Sequence, residues 1–324
     1  MKGHFSWVLV KSNKALGERM SEINISADFP FESKFVSVNG SKIHYVEAGE
    51  GEPILFVHGN PTSSYIWRNI MPYMQKQGRA IAVDLIGFGK SDKPDIDYGF
   101  KDSYEYLEGF INELGLENIT LVVQDWGSGL GFHYANLHRK NIKAIAFMEA
   151  MYRPVVWEAM SFSDKLAMKT IQSTFMSWMM LGLGNQFVTY MLPKWVERVL
   201  SPEEVHHYSA PFQQVRHRKP IWVFPRDVPV NGKPEHTAMA VQGYFEWLQQ
   251  TEIPKLCLYA EPGLLIREKD ARWIEQHFPN TTMVPLGKGT HYVQEDYPHK
   301  IGKALSHWYQ RLSASDYFQL RSRA

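Results

Sequence analysis

The chain alternates short apolar runs with longer amphipathic segments, and the two kinds of segment predict different elements. Apolar and polar residues alternate on both sides of Asn39-Gly40, which is the pattern of a β-hairpin. Further along, the runs are almost continuously apolar, as in parallel strands that are buried on both faces. These runs lie at 53–57, 80–83, 119–123, 142–148, 254–260 and 281–286. Amphipathic segments predict helices at 64–76, 102–115, 128–139, 238–250 and 296–313.

The pattern changes between 153 and 235. This segment is rich in Met, Trp, Phe and Pro and has few strand signals, so we expect short helices there. Such an insertion indicates a lid over the carboxyl edge of an open α/β sheet, where ligands bind. The predicted organisation is an N-terminal extension at 1–30, the first part of an α/β core at 31–152, a helical cap at 153–235 and the second part of the core at 236–324.

Composition and charge narrow the class of protein. The chain has 324 residues, of which 44% are hydrophobic and 21% charged, so it can bury a large core. Its 35 basic residues nearly balance its 34 acidic ones, which gives no support for nucleic acid or an anionic membrane as a partner. The single cysteine, Cys257, lies in an apolar run and is predicted to be a buried core residue.

The same features bear on location. A chain with one cysteine forms no internal disulfide, which fits a reducing compartment. No apolar stretch has the length of a membrane helix, and the apolar run near the N-terminus is short for a secretory signal. We therefore expect a cytoplasmic protein.

Asp125 directly follows a predicted strand and precedes small residues that open a helix. A strand, a sharp turn and a helix form the context that exposes a nucleophile above a sheet. We expect Gly127 and Gly129 to let the helix approach the strand closely. A carboxylate nucleophile suits attack on a saturated carbon, which forms an alkyl ester that water then hydrolyses. The alternative is that Asp125 only caps the helix N-terminus, where Asp is common.

Two other segments supply the groups that ester hydrolysis needs. His-Gly-Asn-Pro at 58–61 follows the first parallel strand, and the backbone N–H groups of Asn60 and Trp126 are predicted to form an oxyanion hole. His291 follows the last strand, at the sheet edge where Asp125 is expected, and is the candidate general base. The alternatives are an ordinary turn at 58–61, because Gly, Asn and Pro favour turns, and a surface position for His291.

At three motifs the sequence resembles the haloalkane dehalogenases. The motifs lie at 58–68, 84–91 and 124–127, and the resemblance runs from about 35 to 312. It implies an α/β-hydrolase fold, in which helices flank a mostly parallel eight-stranded sheet beneath a helical cap. The implied reaction converts a small halogenated hydrocarbon and water into an alcohol, a halide ion and a proton. Histidines are scattered and no phosphate-binding glycine loop occurs, so neither a metal nor a cofactor is predicted.

The resemblance also implies roles for individual residues. Asp125 attacks carbon, and His291 activates water. The side-chain amide of Asn60 and the indole N–H of Trp126 hold the leaving halide, because two neutral donors in a dry pocket stabilise it without trapping it. For Trp126 alone, packing in the core is the alternative.

The acid that orients His291 has two candidates. Much of this fold class places the acid after the run at 254–260, where this chain has Glu261 followed by Pro and Gly. Glu149 instead ends the run at 142–148, and the resemblance is to the subgroup of dehalogenases with Glu at that place. We therefore favour Glu149, which orients the imidazole and stabilises its cation.

The lining of the substrate pocket is predicted from the cap. Most aromatic residues of the cap are expected to pack against one another rather than to contact substrate. Pro225 lies in a segment that resembles the pocket-lining proline region of the family. We therefore predict that Pro225 and Phe175 line the pocket.

Three other functions remain open. An epoxide hydrolase shares the Asp nucleophile but needs acidic donors, usually two tyrosines of the cap, and the candidates in or beside the cap are Tyr152, Tyr190 and Tyr208. A coelenterazine-dependent luciferase of the Renilla type, which is a monooxygenase, keeps a similar set of Asn, Asp-Trp, Glu and His. A ligand receptor that no longer turns over is the third alternative, because a fold does not imply a function.

Overall fold

An eight-stranded sheet lies at the centre of this computed structural model, which describes residues 25–314. The strands are β1 (Lys34–Val38), β2 (Ser41–Ala48), β3 (Pro53–Val57), β4 (Arg79–Val83), β5 (Ile119–Asp125), β6 (Ile142–Ala150), β7 (Lys255–Pro262) and β8 (Thr281–Gly289). Their order across the sheet is β1-β2-β4-β3-β5-β6-β7-β8. β2 pairs antiparallel with β1 and β4, and the other neighbouring strands are parallel. This confirms the predicted mostly parallel α/β sheet.

The register of the central strands brings three chain segments to one edge. Val57 of β3 pairs with Val123 of β5, and Val123 pairs with Phe147 of β6. All three side chains are completely buried, as the continuous apolar runs predict. The residues that follow these positions therefore meet at the carboxyl edge of the sheet.

The helices flank the sheet or lie between β6 and β7. The α-helices are α1 (Met71–Met74), α2 (Phe100–Glu113), α3 (Trp126–Leu137), α4 (Phe162–Gln172), α5 (Thr174–Ser177), α6 (Leu192–Lys194), α7 (Pro202–Ser209), α8 (Lys219–Val223), α9 (Glu235–Leu248), α10 (Glu268–His277), α11 (Val293–Asp296) and α12 (Pro298–Ala314). Short 3-10 helices span Ser64–Trp67, Arg139–Asn141, Trp157–Ala159, Ala210–Phe212, Val215–Arg218 and Phe224–Asp227. Two π-helical turns span Trp178–Leu183 and Phe187–Met191.

Most predicted helices are confirmed within a few residues, but the one at 64–76 is wrong as a single helix. The chain forms a 3-10 turn there first, started by the Ser63 hydroxyl, which accepts a hydrogen bond from the Tyr65 N–H. A proline in the first turn, Pro72, then begins α1 as a separate element, because proline fits only the start of a helix. The helix α10 has no counterpart among the predicted elements.

The segment predicted as a cap contains short helices and turns between β6 and α9. Its boundaries, and those of the two core segments, remain predictions. Of the predicted N-terminal extension, 1–24 lies outside the described residues. The part that is described contacts the core, since the Ser26 N–H donates to Asn69 Oδ1 at 3.2 Å and the Phe29 ring lies 5.6 Å from that of Tyr65.

Two further predictions concern the core and membranes. Cys257 is completely buried in β7, which confirms its predicted place in the core. Across residues 25–314, none of the helices combines the length and apolarity needed to span a bilayer.

Candidate active site

Asp125 sits in a sharp turn between β5 and α3. Its backbone has φ 48° and ψ −128°, a conformation that residues other than glycine rarely adopt. The turn places the carboxylate at the carboxyl edge of the sheet. Asp125 occupies the N-cap position of α3, but its side chain makes no capping hydrogen bond, which counts against a role as a helix cap alone. Its carboxylate is 14% exposed, which leaves it accessible from a largely buried position.

Glycines leave the space into which this turn fits. A Cβ on Gly59 would lie 2.3 Å from Asp125 Oδ2, and one on Gly127 would lie 2.3 Å from the Val57 carbonyl oxygen. Both positions therefore need glycine. The expectation for Gly129 is wrong, since a Cβ there has its nearest neighbour at 3.7 Å, an ordinary contact. Gly131 makes the second close approach instead, with a would-be Cβ only 2.8 Å from Val123.

Asn60 contacts Asp125 through its backbone. The Asn60 N–H donates to Asp125 Oδ2 at 2.8 Å, as expected of an oxyanion-hole donor. Within the described residues no such bond joins the Trp126 backbone N–H to this carboxylate, so the second donor remains a prediction. The side-chain amide of Asn60 donates one N–H to the Ile221 carbonyl at 3.0 Å, which orients the group and leaves its other N–H available.

Trp126 is buried beside Asp125 and packs against the cap. Its ring stacks on Phe224, with centroids 4.8 Å apart and planes at 25°. No acceptor for its indole N–H occurs in the part of the chain that the structure describes. A stacked ring with a free N–H is compatible with both interpretations, core packing and halide binding.

His291 lies between two carboxylates. Its Nε2 is 3.6 Å from Asp125 Oδ1, and its Nδ1 is 3.2 Å from Glu149 Oε2. The imidazole is buried, with a side chain 3% exposed, so the alternative of a surface histidine is wrong. The Trp195 carbonyl accepts a hydrogen bond from the Tyr292 N–H at 3.1 Å, which ties the His291 loop to the cap segment.

Glu149 is completely buried and is held by the loop that follows β7. Its carboxylate accepts hydrogen bonds from the N–H groups of Leu264, Leu265 and Ile266 at 3.0, 2.8 and 3.3 Å. Glu261, the other candidate acid, is exposed in β7. The loop after β7, where much of this fold class has its acid, therefore supplies backbone N–H donors instead. The carboxylate beside His291 Nδ1 is that of Glu149.

The two carboxylates determine the charge of His291. Burial lowers the pKa of the imidazole, but hydrogen bonds and Coulombic attraction from Asp125 and Glu149 outweigh it and raise the pKa to about 9. His291 is therefore a cation at neutral pH in the free enzyme.

The structure places the two predicted pocket residues differently. Phe175 is 63% exposed on α5, whereas Pro225 is buried next to Phe224. Their contact with substrate remains a prediction.

Two features were missed at the sequence level: the stacking of Phe224 on Trp126, and the side chain of Gln124, which reaches His291. The adjacency of Gln124 to Asp125 was the available signal.

Comparisons with known proteins show which fold and family the chain belongs to. Residues 52–217 match the family model of the alpha/beta hydrolase fold. The chain is 39% identical over 290 residues to a haloalkane dehalogenase of Sphingobium indicum, covering 87% of this chain and 97% of the relative. It is 38% identical to one of Mesorhizobium japonicum, covering 84% and 89%. It superposes on the solved structure of the haloalkane dehalogenase DbeA of Bradyrhizobium elkani with a TM-score of 0.85 and 37% identity, covering 88% and 99%.

The fold and the Asp–His–Glu arrangement thus define an α/β-hydrolase. Within that class, the chain belongs to the haloalkane dehalogenase family.

Proposed function

We propose that this enzyme hydrolyses the carbon–halogen bond of small haloalkanes to give an alcohol, a halide ion and a proton. The observation that carries the proposal is the geometry of three side chains. Asp125 is exposed by the turn after β5, His291 Nε2 lies 3.6 Å from its carboxylate, and Glu149 contacts the other nitrogen of the same ring. This is the arrangement that a covalent ester mechanism needs.

In the first step, the Asp125 carboxylate attacks the carbon that bears the halogen. A bond forms between Oδ1 and carbon as the carbon–halogen bond breaks, and the halide leaves with the bonding electrons. Oδ1 suits this role because Oδ2 already accepts the Asn60 N–H. Asp125 is then a neutral alkyl ester whose carbonyl oxygen, Oδ2, stays in the oxyanion hole.

In the second step, water hydrolyses the ester. Formation of the ester removes the charge of Asp125, so the pKa of His291 falls and the imidazole becomes able to accept a proton. His291 takes a proton from water as the oxygen attacks the ester carbonyl. Collapse of the intermediate breaks the acyl–oxygen bond, and the alkoxide leaves as an alcohol with the proton from His291. The carboxyl group of Asp125 then releases its proton to solvent.

The halide is proposed to leave toward the Asn60 side-chain amide and the Trp126 indole. The amide has one N–H committed to Ile221 and one available, and the indole ring is fixed by its stacking on Phe224. Neutral, fixed donors stabilise the developing charge without reorganisation.

Two of the three tyrosines of the epoxide hydrolase alternative donate their hydroxyl hydrogens to other acceptors. Tyr152 donates its hydroxyl hydrogen to Asp270, and Tyr208 donates to Glu295. The third, Tyr190, is 55% exposed and accepts a hydrogen bond from Lys194, which leaves its own hydroxyl hydrogen free. The hydrogen bonds donated by Tyr152 and Tyr208 leave at most one of the three tyrosines as a donor, which favours the haloalkane over an epoxide as substrate. The luciferase alternative is tested by light emission with coelenterazine.

The cytoplasmic location remains a prediction.

The test is bromide release from 1-bromobutane. The wild type is expected to release bromide, and Asp125→Ala to release none. His291→Gln should form the ester but fail to hydrolyse it, so that intact-mass spectrometry finds the protein heavier by one butyl group. His206→Gln, a change at an exposed histidine of the cap, is the matched control and should behave as wild type.

Two results would overturn the proposal. One is bromide release by Asp125→Ala at the wild-type rate. The other is steady turnover by His291→Gln with no butylated protein. A receptor would show neither bromide release nor an adduct in any variant.

A further inference from the structure

Gln124 is a completely buried side chain in contact with the candidate base. It is the last residue of β5 before Asp125, and its Nε2 lies 3.1 Å from Nε2 of His291. Its amide oxygen, Oε1, is buried and has no hydrogen-bond partner among the described residues. An unpaired buried polar group costs roughly 1–3 kcal/mol, so the position of this amide calls for a physical reason.

The contact between Nε2 of Gln124 and Nε2 of His291 is a hydrogen bond only when the imidazole is neutral. With Nδ1–H donating to Glu149, Nε2 of neutral His291 carries a lone pair that accepts a hydrogen from the Gln124 amide. When Nε2 carries a proton, the same contact sets two donors against each other. Rotation of the amide by a half turn about its Cγ–Cδ bond exchanges its nitrogen and oxygen. Oε1 then accepts from the imidazolium and gains the partner it lacks.

We propose that Gln124 is a positioning residue that accepts the Nε2–H of the His291 cation during ester hydrolysis. This inference rests on the proposed function. In the alkyl-enzyme, Asp125 is a neutral ester and no longer holds the cation. Gln124 is then the protein group beside Nε2 that can hold the ring in line with the ester carbonyl.

The surroundings of His291 offer few other partners for its charge. Asp125 faces the ring from the turn after β5, and Glu149 faces it from β6. The cap contributes the uncharged ring of Trp195, whose centroid is 5.6 Å from that of the His291 ring. The centroid of the neighbouring Tyr292 ring lies 4.7 Å from that of His291. The Tyr292 hydroxyl donates to the Asn60 carbonyl at 3.1 Å and is not turned to the imidazole.

The amide favours the cation over the neutral ring. A hydrogen bond from imidazolium to a carbonyl oxygen is charge-assisted and roughly twice as strong as one between neutral partners. Gln124 therefore raises the pKa of His291 in the alkyl-enzyme and stabilises the imidazolium that forms as water attacks.

Two substitutions of nearly equal size test this. The hydrolysis rate of the butyl ester is measured in single turnovers across the pH range in which imidazole titrates. Gln124→Met removes the amide group, so the acid limb of the profile should move to lower pH by roughly half a unit to one unit. Its plateau should fall about tenfold or more. Gln124→Glu places a carboxylate at Nε2 and should move the acid limb upward by about one unit or more.

Opposite shifts are the decisive result, because a side chain that only fills space would give losses of the same kind in both variants. Unchanged acid limbs, or shifts in one direction for both, would overturn the inference. The proposed function is judged separately by the wild type: if it forms and hydrolyses the ester while the variants show no opposite shifts, only the role of Gln124 fails.

A second measurement needs no substrate. Asp125→Asn carries a neutral group in place of the ester, and the pKa of His291 in that variant is read by NMR. Adding Gln124→Met should lower this pKa, and adding Gln124→Glu should raise it. Equal values in the three proteins would also overturn the inference.

Discussion

Asp125 and Glu149 both carry a carboxylate on a residue with positive φ, 48° and 41° respectively. Such conformations cost about 1–3 kcal/mol each for residues other than glycine. Both occur where a central strand ends, and both aim the carboxylate at His291. Hydrogen bonds from backbone N–H groups, one to Asp125 and three to Glu149, offset the strain. At the scale of the residue, hydrogen bonds to the two carboxylates therefore stabilise a strained backbone that directs them at His291.

The raised pKa of His291 makes stability depend on pH. Burial lowers this pKa, but Asp125 and Glu149 raise it to about 9 from an ordinary 6.5. The stabilisation is complete below the unfolded pKa of 6.5 and is lost as pH rises through about 9. Over that window we expect the free energy of unfolding to fall by about 3 kcal/mol. Urea denaturation at the two ends of the window measures the change.

The matched variants are His291→Gln and His206→Gln. Without the titrating imidazole, His291→Gln should lose much less stability over the same window. His206→Gln, altered at an exposed position, should follow the wild type. A wild type as insensitive to pH as His291→Gln would contradict the charge that we assign to this ring.

At the scale of the element, the close approach of α3 to β3 fixes the turn that carries Asp125. The Val57 and His58 carbonyls lie 2.3 and 2.5 Å from where a Cβ of Gly127 would be. Backbone atoms of a central strand cannot yield. The turn therefore requires glycine at position 127, whereas a Cβ at position 129 would make only ordinary contacts.

Alanine at the two glycines should give opposite results. Gly127→Ala is expected to lower the free energy of unfolding by about 2–3 kcal/mol, because overpacking displaces the helix. Gly129→Ala should be neutral or stabilise by up to about 1 kcal/mol, because alanine is the better helix former. Chemical denaturation of both variants measures this. Equal destabilisation by both would show that the approach of α3 is not limited by Gly127.

At the scale of the whole molecule, a buried charge network joins the cap to the core. Arg68, after the first 3-10 turn, donates to Glu295 of α11 at 2.6 and 2.9 Å and to Glu204 of α7 at 2.6 Å. Arg198 contacts both of these carboxylates as well. Since α11 follows His291 closely, the network ties the cap to the loop that carries the candidate base.

Removing Arg68 should therefore affect the whole molecule. Arg68→Ala leaves two buried carboxylates with one partly exposed arginine, and we expect a loss of about 3–5 kcal/mol in the free energy of unfolding. Arg272→Ala breaks a surface pair with Glu268, whose side chains are 63% and 58% exposed, and should cost less than about 1 kcal/mol. Urea denaturation compares the two. Similar losses would mean that the buried network does not join cap and core.

The sequence alone predicts much of the fold and the identity of several site residues. The β-hairpin is predicted because Asn39 and Gly40 adopt positive φ readily, as they do in the structure. The parallel strands are predicted because burial on both faces demands continuous apolar runs. Asp125 and His291 are predicted because each follows such a run. These are local signals, readable from neighbouring positions in the chain.

Other features depend on residues far apart in the sequence. Glu149 and His291 are separated by 142 positions, and the parallel pairing of β6, β7 and β8 brings the carboxyl ends of these strands to the same edge of the sheet. The same reason applies to the exposure of Glu261, the ordinary contacts around Gly129 and the contact of Gln124 with His291. Distances between such groups follow from how strands pair and helices pack, and no local pattern encodes them. The candidate nucleophile is thus predicted from the sequence, whereas the packing of the sheet determines which groups lie beside it.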